Sequence, residues 1–307
     1  MNKKIAMSFD IMINNCCEYC NCSHCMMDDY LDTEYSVNHD AIERSLNEYD
    51  ISKIYDIHLA GGEPLLDIKD NLDWLNYFID KYHSINPYIK FKLTTNLSPD
   101  QDEGYFNKKR IRIINSLDTI STSFDPVIRF KQKSDYDIWQ KHFKTLVDIK
   151  GLDKVTVFVC LTDYLVDYFE NSMEKFYDFF CNNLGIYPIL LQIMKFGKNK
   201  DNHIKTEKIY KWIIDSYKRL DITKDSSGYN RFVKNLYSQL LDRRKLLCSS
   251  AYNQCVGINN KGEIVHCLYN QDCNNYNANP IESGMSQEEV DTACRIALCP
   301  YVVNIKQ

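Results

Sequence analysis

His58-Leu59-Ala60-Gly61-Gly62-Glu63-Pro64-Leu65 closes a short apolar run that begins at Ile54. The run has the length and composition of a β-strand. Two consecutive glycines directly after a strand let the backbone approach a ligand closely, and a carboxylate followed by proline is held ready for an ammonium group. A second informative stretch follows the first apolar run of the chain: Ile13-Asn14-Asn15-Cys16-Cys17-Glu18-Tyr19-Cys20-Asn21-Cys22-Ser23-His24-Cys25. Closely spaced thiols in one loop can surround zinc or an iron–sulfur cluster, and spacing alone does not choose the metal.

Outward from these stretches, short apolar runs alternate with amphipathic ones. Strands are expected over 5–13, 54–60, 89–95, 118–124, 154–161 and 187–194. Helical spacing recurs between them, as in Leu72, Trp74, Leu75, Phe78 and Ile79, and in Trp139, Phe143, Leu146 and Val147. About six strand–helix units predict an α/β fold with a parallel sheet, a partial (β/α)6 barrel rather than a full eight-unit one. The pattern changes near residue 200. Tyr210, Ile213, Ile214, Tyr217 and Leu220 lie at helical spacing within 201–247, and a cysteine-rich tail follows. The expected organisation is a barrel over 1–200, a helical connector over 201–247 and a small tail domain over 248–307.

The 307 residues include 44% apolar and 26% charged side chains, close to the average of globular proteins and unlike a disordered or fibrous chain. No apolar run is long enough for a membrane helix, and the start does not read as a signal peptide, so a cytoplasmic location is expected. With a net charge of −5 and no basic block, nothing suggests nucleic acid. Of thirteen cysteines, five lie from Cys16 to Cys25, six from Cys248 to Cys299, and only Cys160 and Cys181 lie between. Cytosolic thiols stay reduced, so two terminal clusters suggest two metal centres. Cys160, in an apolar run, reads as core packing, and so does His58.

The cysteine loop paired with Gly61-Gly62-Glu63-Pro64 resembles the radical S-adenosylmethionine (SAM) superfamily. Thr94-Thr95-Asn96 resembles that family's polar end of strand three. Ser121-Thr122-Ser123-Phe124-Asp125 resembles the end of strand four that touches SAM. The resemblance implies a [4Fe-4S] cluster held by three cysteines, with SAM on the fourth iron and its amino group against the Gly-Gly-Glu segment. It implies SAM contacts at Gly61, Gly62, Glu63, Pro64, Asn96, Ser121 and Ser123, with Arg129 as a further contact to SAM or substrate. The family's usual cysteine spacing is not met from Cys16, where Ser23 stands at the third position. Cys17, Cys22 and Cys25 are the favoured ligands, Cys16 can replace Cys17, and a frame through Cys20 is also compatible.

In the tail, Gly257 to Cys267 reads as a hairpin turning at Asn260-Lys261-Gly262. The order Cys248, Gly262, Cys267 resembles the opening of the SPASM or shorter twitch auxiliary-cluster domains. That implies one auxiliary [4Fe-4S] cluster held by Cys248, Cys267, Cys294 and Cys299; a zinc ribbon is the alternative. Cys255 and Cys273 are left as an open-site ligand or a thiol hydrogen donor. The reaction implied is reductive SAM cleavage to a 5′-deoxyadenosyl radical that removes hydrogen from substrate, fed by an external donor of flavodoxin or ferredoxin type. A peptide substrate is favoured, modified by crosslinking, thioether formation or epimerisation, although strand one is expected at the chain start with no leader-peptide domain before it. A small-molecule dehydrogenase is the second reading, and a non-catalytic redox or zinc protein the third.

Overall fold

The computed structural model describes residues 3–17, 22, 25, 35–97, 104–130, 133–191, 205–221, 227–241, 246–248, 255–265 and 302–304. Strands and helices alternate as β1 (Ser8–Met12), α1 (His39–Leu46), β2 (Asp56–Ala60), α2 (Asn71–Ile85), β3 (Lys90–Thr95), α3 (Lys108–Ser116), β4 (Thr119–Phe124), α4 (Lys133–Lys150) and β5 (Val155–Cys160). Two short helices, α5 (Asp163–Tyr168) and α6 (Met173–Tyr177), lead to β6 (Ile189–Leu191). These six strands are parallel neighbours in the order β6-β5-β4-β3-β2-β1. The α/β class and the six-unit partial barrel expected from the sequence are observed. β6 is shorter than expected, and 192–194 lie outside the described residues. Among the described residues, no helix is long and apolar enough to cross a membrane.

The strands alternate in burial, which a parallel sheet covered on both faces does not do. Phe9, Ile11, Ile57, Leu59, Phe91, Leu93, Ile120, Phe124, Val155, Val157 and Val159 are buried and pack with Leu72, Leu75, Phe78 and Ile79 of α2 and with Trp139, Phe143 and Leu146 of α4. The opposite, concave face carries Ser8, Asp10, His58, Thr94, Ser121, Ser123 and Cys160, all only half-buried. Phe124 centres the apolar layer. Its ring lies within aromatic contact of Phe130, Tyr136, Trp139, Tyr168, Phe169, Phe179 and Phe180.

Both edges of the six-stranded sheet are covered, which a parallel sheet needs to avoid open backbone donors and acceptors. After the barrel come α7 (Glu207–Lys218) and α8 (Gly228–Leu241), two helices where the periodicity suggested one connector, with Tyr217 and Tyr237 stacked between them at 3.8 Å. Gln239 of α8 accepts from Leu190 N–H of β6 at 2.9 Å and donates to Pro188 C=O. On the other edge, the expected hairpin is present as β8 (Cys255–Ile258) and β9 (Ile264–Val265), after the short β7 (Leu246–Cys248). β8 does not stand apart: it joins the barrel sheet in parallel with β1, Ser8 opposite Cys255 and Ile11 opposite Ile258. The last strand, β10 (Val302–Asn304), pairs antiparallel with β7, Val302 opposite Cys248.

Truncating Phe124 to Ala removes the ring on which seven others converge and should cost about 3 to 5 kcal/mol, typical for a large core aromatic. Urea unfolding followed by circular dichroism measures it, and a loss under about 1 kcal/mol would mean that the layer repacks freely.

Candidate active site

β1 and β2 run in register to Met12 and Ala60, and their loops then cross in contact. Ile13 N–H donates to Ala60 C=O at 3.0 Å, Gly62 N–H to Asn14 C=O at 2.9 Å, and Glu63 N–H to Cys16 C=O at 2.8 Å. Asn14 Nδ2 returns a bond to Glu63 C=O at 3.0 Å. A Cβ on Gly61, whose φ is +148°, would stand 2.3 Å from the Asn14 carbonyl oxygen, and one on Gly62 would stand 2.0 Å from that of Cys16. The sequence suggested room for a ligand. The structure shows that the cysteine loop's own backbone already fills the space next to both glycines.

Glu63 is fully buried. Its Oε1 accepts from Leu65 N–H at 2.9 Å and from the Thr95 hydroxyl at 2.7 Å, and its Oε2 accepts from Asn96 N–H at 2.6 Å. A buried carboxylate is tolerable only with such donors. The ends of β2 and β3 are thereby joined. The Thr95 hydroxyl lies 3.3 Å from Tyr105 OH, Tyr105 stacks on His142, and the His142 Nδ1–H donates to Leu97 C=O at 2.8 Å. Arg110 closes this support from below, donating to the carbonyls of Leu65 and Tyr105.

Adjacent cysteines have different surroundings. Cys16 is buried, with its Sγ 3.9 Å from Asn15 Oδ1. Cys17 receives the side-chain amide of Asn96 at 3.6 Å. Cys25 N–H donates to Cys22 C=O at 3.0 Å, which brings those two residues close together. From the end of β4, Arg129 reaches back to Asp125 with Nε 3.1 Å from Oδ2. Burial works against its charge, but the neighbouring Cys22, Asp125, Cys17 and Cys160 more than offset that and hold its pKa above the usual arginine value. The turn that delivers Arg129 contains Val127 at a φ of +72°, a strained position for a β-branched residue. Cys160 belongs to this group. Its expected place in the core is overturned: β5 alternates, so Val159 faces the helices and Cys160 faces Asp125 and Arg129. Burial first, and Asp125 next, push its thiol pKa well up.

His58, also expected in the core, stands on the concave face with its side chain 17% exposed. Its Nδ1 donates to Asp10 Oδ1 at 3.0 Å, and its Nε2 lies 2.9 Å from Thr94 Oγ1. Asp10 Oδ2 also accepts from Cys255 Sγ at 3.5 Å. Thr94, Ser121 and Thr156 are in register across β3, β4 and β5. A polar band therefore crosses the concave face from β8 to β5.

No family model matches this chain, and no curated protein matches it either. Among solved structures, native anSMEcpe with bound AdoMet and Cp18Cys peptide superposes with a TM-score of 0.58 at 15% identity, over 93% of this chain and 82% of that one. A histidine-tagged form of anSMEcpe with bound AdoMet superposes at 0.57, with the same identity and coverage. anSMEcpe is a radical SAM enzyme. The chain has the radical SAM fold.

Within this radical SAM barrel, Gly61, Gly62, Glu63, Pro64, Asn96, Cys17 and Arg129 lie together at the carboxyl ends of the strands, where parallel-sheet folds place their ligands. Ser121 and Ser123 lie on the concave face of β4. Cys255 is at the foot of β8 opposite Ser8, about 13 Å of strand below Met12. Cys20, Cys267, Cys273, Cys294 and Cys299 lie outside the described residues. Among the described residues, no three His, Cys, Asp or Glu side chains converge as a metal-binding group. The donor chemistry nonetheless fits an iron–sulfur cluster: Cys17, Cys22 and Cys25 offer three sulfurs, with an amide donor on Cys17 and the Arg129 guanidinium within electrostatic reach of Cys17 and Cys22. Sequence reading missed Asp10 and Cys160, whose only signal was the period-two alternation of their strands.

Gly62→Ala should disrupt the loop crossing, because its Cβ meets backbone and not a yielding side chain. Iron retention after anaerobic reconstitution should fall at least severalfold while circular dichroism stays at wild type; full iron retention would contradict the crossing.

Proposed function

We propose that this chain is a radical SAM enzyme that acts on a peptide, by crosslinking, thioether formation or epimerisation. The observation that carries the reading is the meeting of the Gly61–Pro64 segment, Asn96 and Arg129 around the cysteine loop in a radical SAM fold. Cys17, Cys22 and Cys25 would hold a [4Fe-4S] cluster, which would supply one electron for cleavage of SAM to methionine and a 5′-deoxyadenosyl radical able to take hydrogen from an unactivated carbon.

The chain's own residues do the rest. Asn96 donates to Cys17, and the Arg129 guanidinium stands within electrostatic reach of Cys17 and Cys22, a donor and a positive group beside sulfurs that a cluster would use. The different orientation of Cys16, toward Asn15, supports Cys17 as the first ligand. Gly61 to Pro64 frame the amino end of SAM. Glu63, with its carboxylate bound by Leu65, Thr95 and Asn96, serves there chiefly by holding Asn96 and the Gly-Gly backbone in place. Ser121 and Ser123 line the SAM side of the concave face, and the polar band below them receives a hydrogen-bonding part of the substrate. The peptide bound to anSMEcpe supports a peptide in this position. An external one-electron donor of flavodoxin or ferredoxin type feeds the cluster.

The tail adds one auxiliary [4Fe-4S] cluster held by Cys248, Cys267, Cys294 and Cys299. The pairing of Val302 with Cys248, three residues beyond Cys299, supports it. Cys255 hydrogen-bonds Asp10 at the strand foot, which favours a part in the polar band over ligation, and leaves Cys273 as the thiol for an open ligand position or hydrogen donation.

Anaerobically reconstituted protein given a strong reductant should release 5′-deoxyadenosine from SAM, and the double change Cys22→Ala with Cys25→Ala should abolish release. Undiminished release in that variant would refute the assignment. Metal analysis tests the tail: two clusters imply about eight irons per chain, and a zinc ribbon about four irons with one zinc. Stoichiometric zinc in anaerobically purified protein, with iron near four, would rule out the auxiliary cluster.

A further inference from the structure

We infer that Asn260, in the turn of the β8–β9 hairpin, is a positioning residue for the cysteine loop, acting through Ser36 and Asn15. Asn260 Nδ2 donates to Ser36 C=O at 2.9 Å, and Ser36 N–H donates to Asn15 Oδ1 at 2.9 Å. Asn15 is buried and directly precedes Cys16 and Cys17. Asn15 and Ser36 thus tie together the two points at which the chain leaves for and returns from the cysteine-bearing segment, and the tie is itself held by a residue more than 200 positions away in sequence. Closing a long loop at its base restricts what lies within it, so the geometry of the cysteines depends on that tie.

The turn is seated firmly enough to act as an anchor. Asn38 N–H, at the start of α1, donates to Asn260 C=O at 2.9 Å, and Ser45 Oγ donates to Gly262 C=O at 2.5 Å. Gly262, at a φ of +80°, lies so close to α1 that a Cβ would stand 2.4 Å from Ala41. Asn259 Oδ1 accepts from the N–H groups of Lys261 and Glu263 and fixes the turn internally. The hairpin begins at Cys255 and is followed by Cys267, so the tail's cysteine-bearing strand and the N-terminal cysteine loop share one hydrogen-bonded path.

The inference rests on the radical SAM reading, and its test separates the two. Asn260→Asp keeps the size and the backbone carbonyl but sets an acceptor against Ser36 C=O. In full-length, anaerobically reconstituted protein it should weaken SAM binding about three- to tenfold, the range that one lost neutral hydrogen bond sets. It should also alter the electron paramagnetic resonance spectrum of the reduced cluster with SAM, at wild-type iron content. Lys261→Ala, an exposed change in the same turn, should leave both readouts unchanged. Should Asn260→Asp lose iron, Asn260→Ser replaces it, with the same readouts. Wild-type SAM affinity and spectrum in the Asn260 variant, or equal losses in Lys261→Ala, would overturn the inference. A wild-type protein that neither holds the N-terminal cluster nor binds SAM would sink the proposed function instead.

Discussion

Two glycines crossing a cysteine loop at backbone contact are the constraint on which the site depends. β1 and β2 are paired to their last residues, so the segments leaving them compete for the same space. Only residues without a Cβ let them pass at hydrogen-bonding distance, and Gly61 and Gly62 occupy those positions. Once they have passed, Glu63 is carried into the interior, where its carboxylate must find donors. It finds them on Thr95 and Asn96, which draws the end of β3 into the same unit. Asn96 is then delivered to Cys17. Three strand ends and the start of the cysteine loop are thereby joined by hydrogen bonds into one unit.

The two faces of the sheet divide the work. The outer face is apolar at alternate positions and buries against helices, with the aromatic rings around Phe124 supplying much of the packed area. Aromatic layers of this kind contribute large burial with few rotatable bonds. The inner face bears hydroxyls, thiols, a carboxylate and an imidazole, a set that gains little from burial against hydrocarbon. The apolar packing is carried on one side of each strand, and the polar side chains are gathered on the other.

Closure of the sheet edges ties distant parts of the chain to this site. Gln239 occupies the open backbone of β6, and β8 occupies that of β1. The second closure places Cys255 beside Asp10 and sets the hairpin turn on α1, where Asn260 meets the base of the cysteine loop. An edge strand is thus both a cover for unpaired donors and acceptors and a link between the C-terminal hairpin and the base of the N-terminal cysteine loop.

The sequence by itself determined the order of strands and helices, the partial barrel, the Gly61–Pro64 segment and the hairpin near Asn260. Each of these rests on local signals: period two or 3.6, glycine pairs, turn residues and cysteine spacing. It did not determine which face of a strand looked inward, because an alternating pattern is the same read from either side. His58 and Cys160 were therefore assigned to the core, although they stand on the concave face. Nor could it distinguish Cys16 from Cys17, whose surroundings come from Asn15 on one side and from Asn96 on another strand. The inward turn of the Glu63 carboxylate, the docking of β8 on β1 and the reach of Asn260 to Ser36 were decided only by tertiary structure. They depend on donors and acceptors dozens to hundreds of residues apart, and no local pattern encodes which of them will meet.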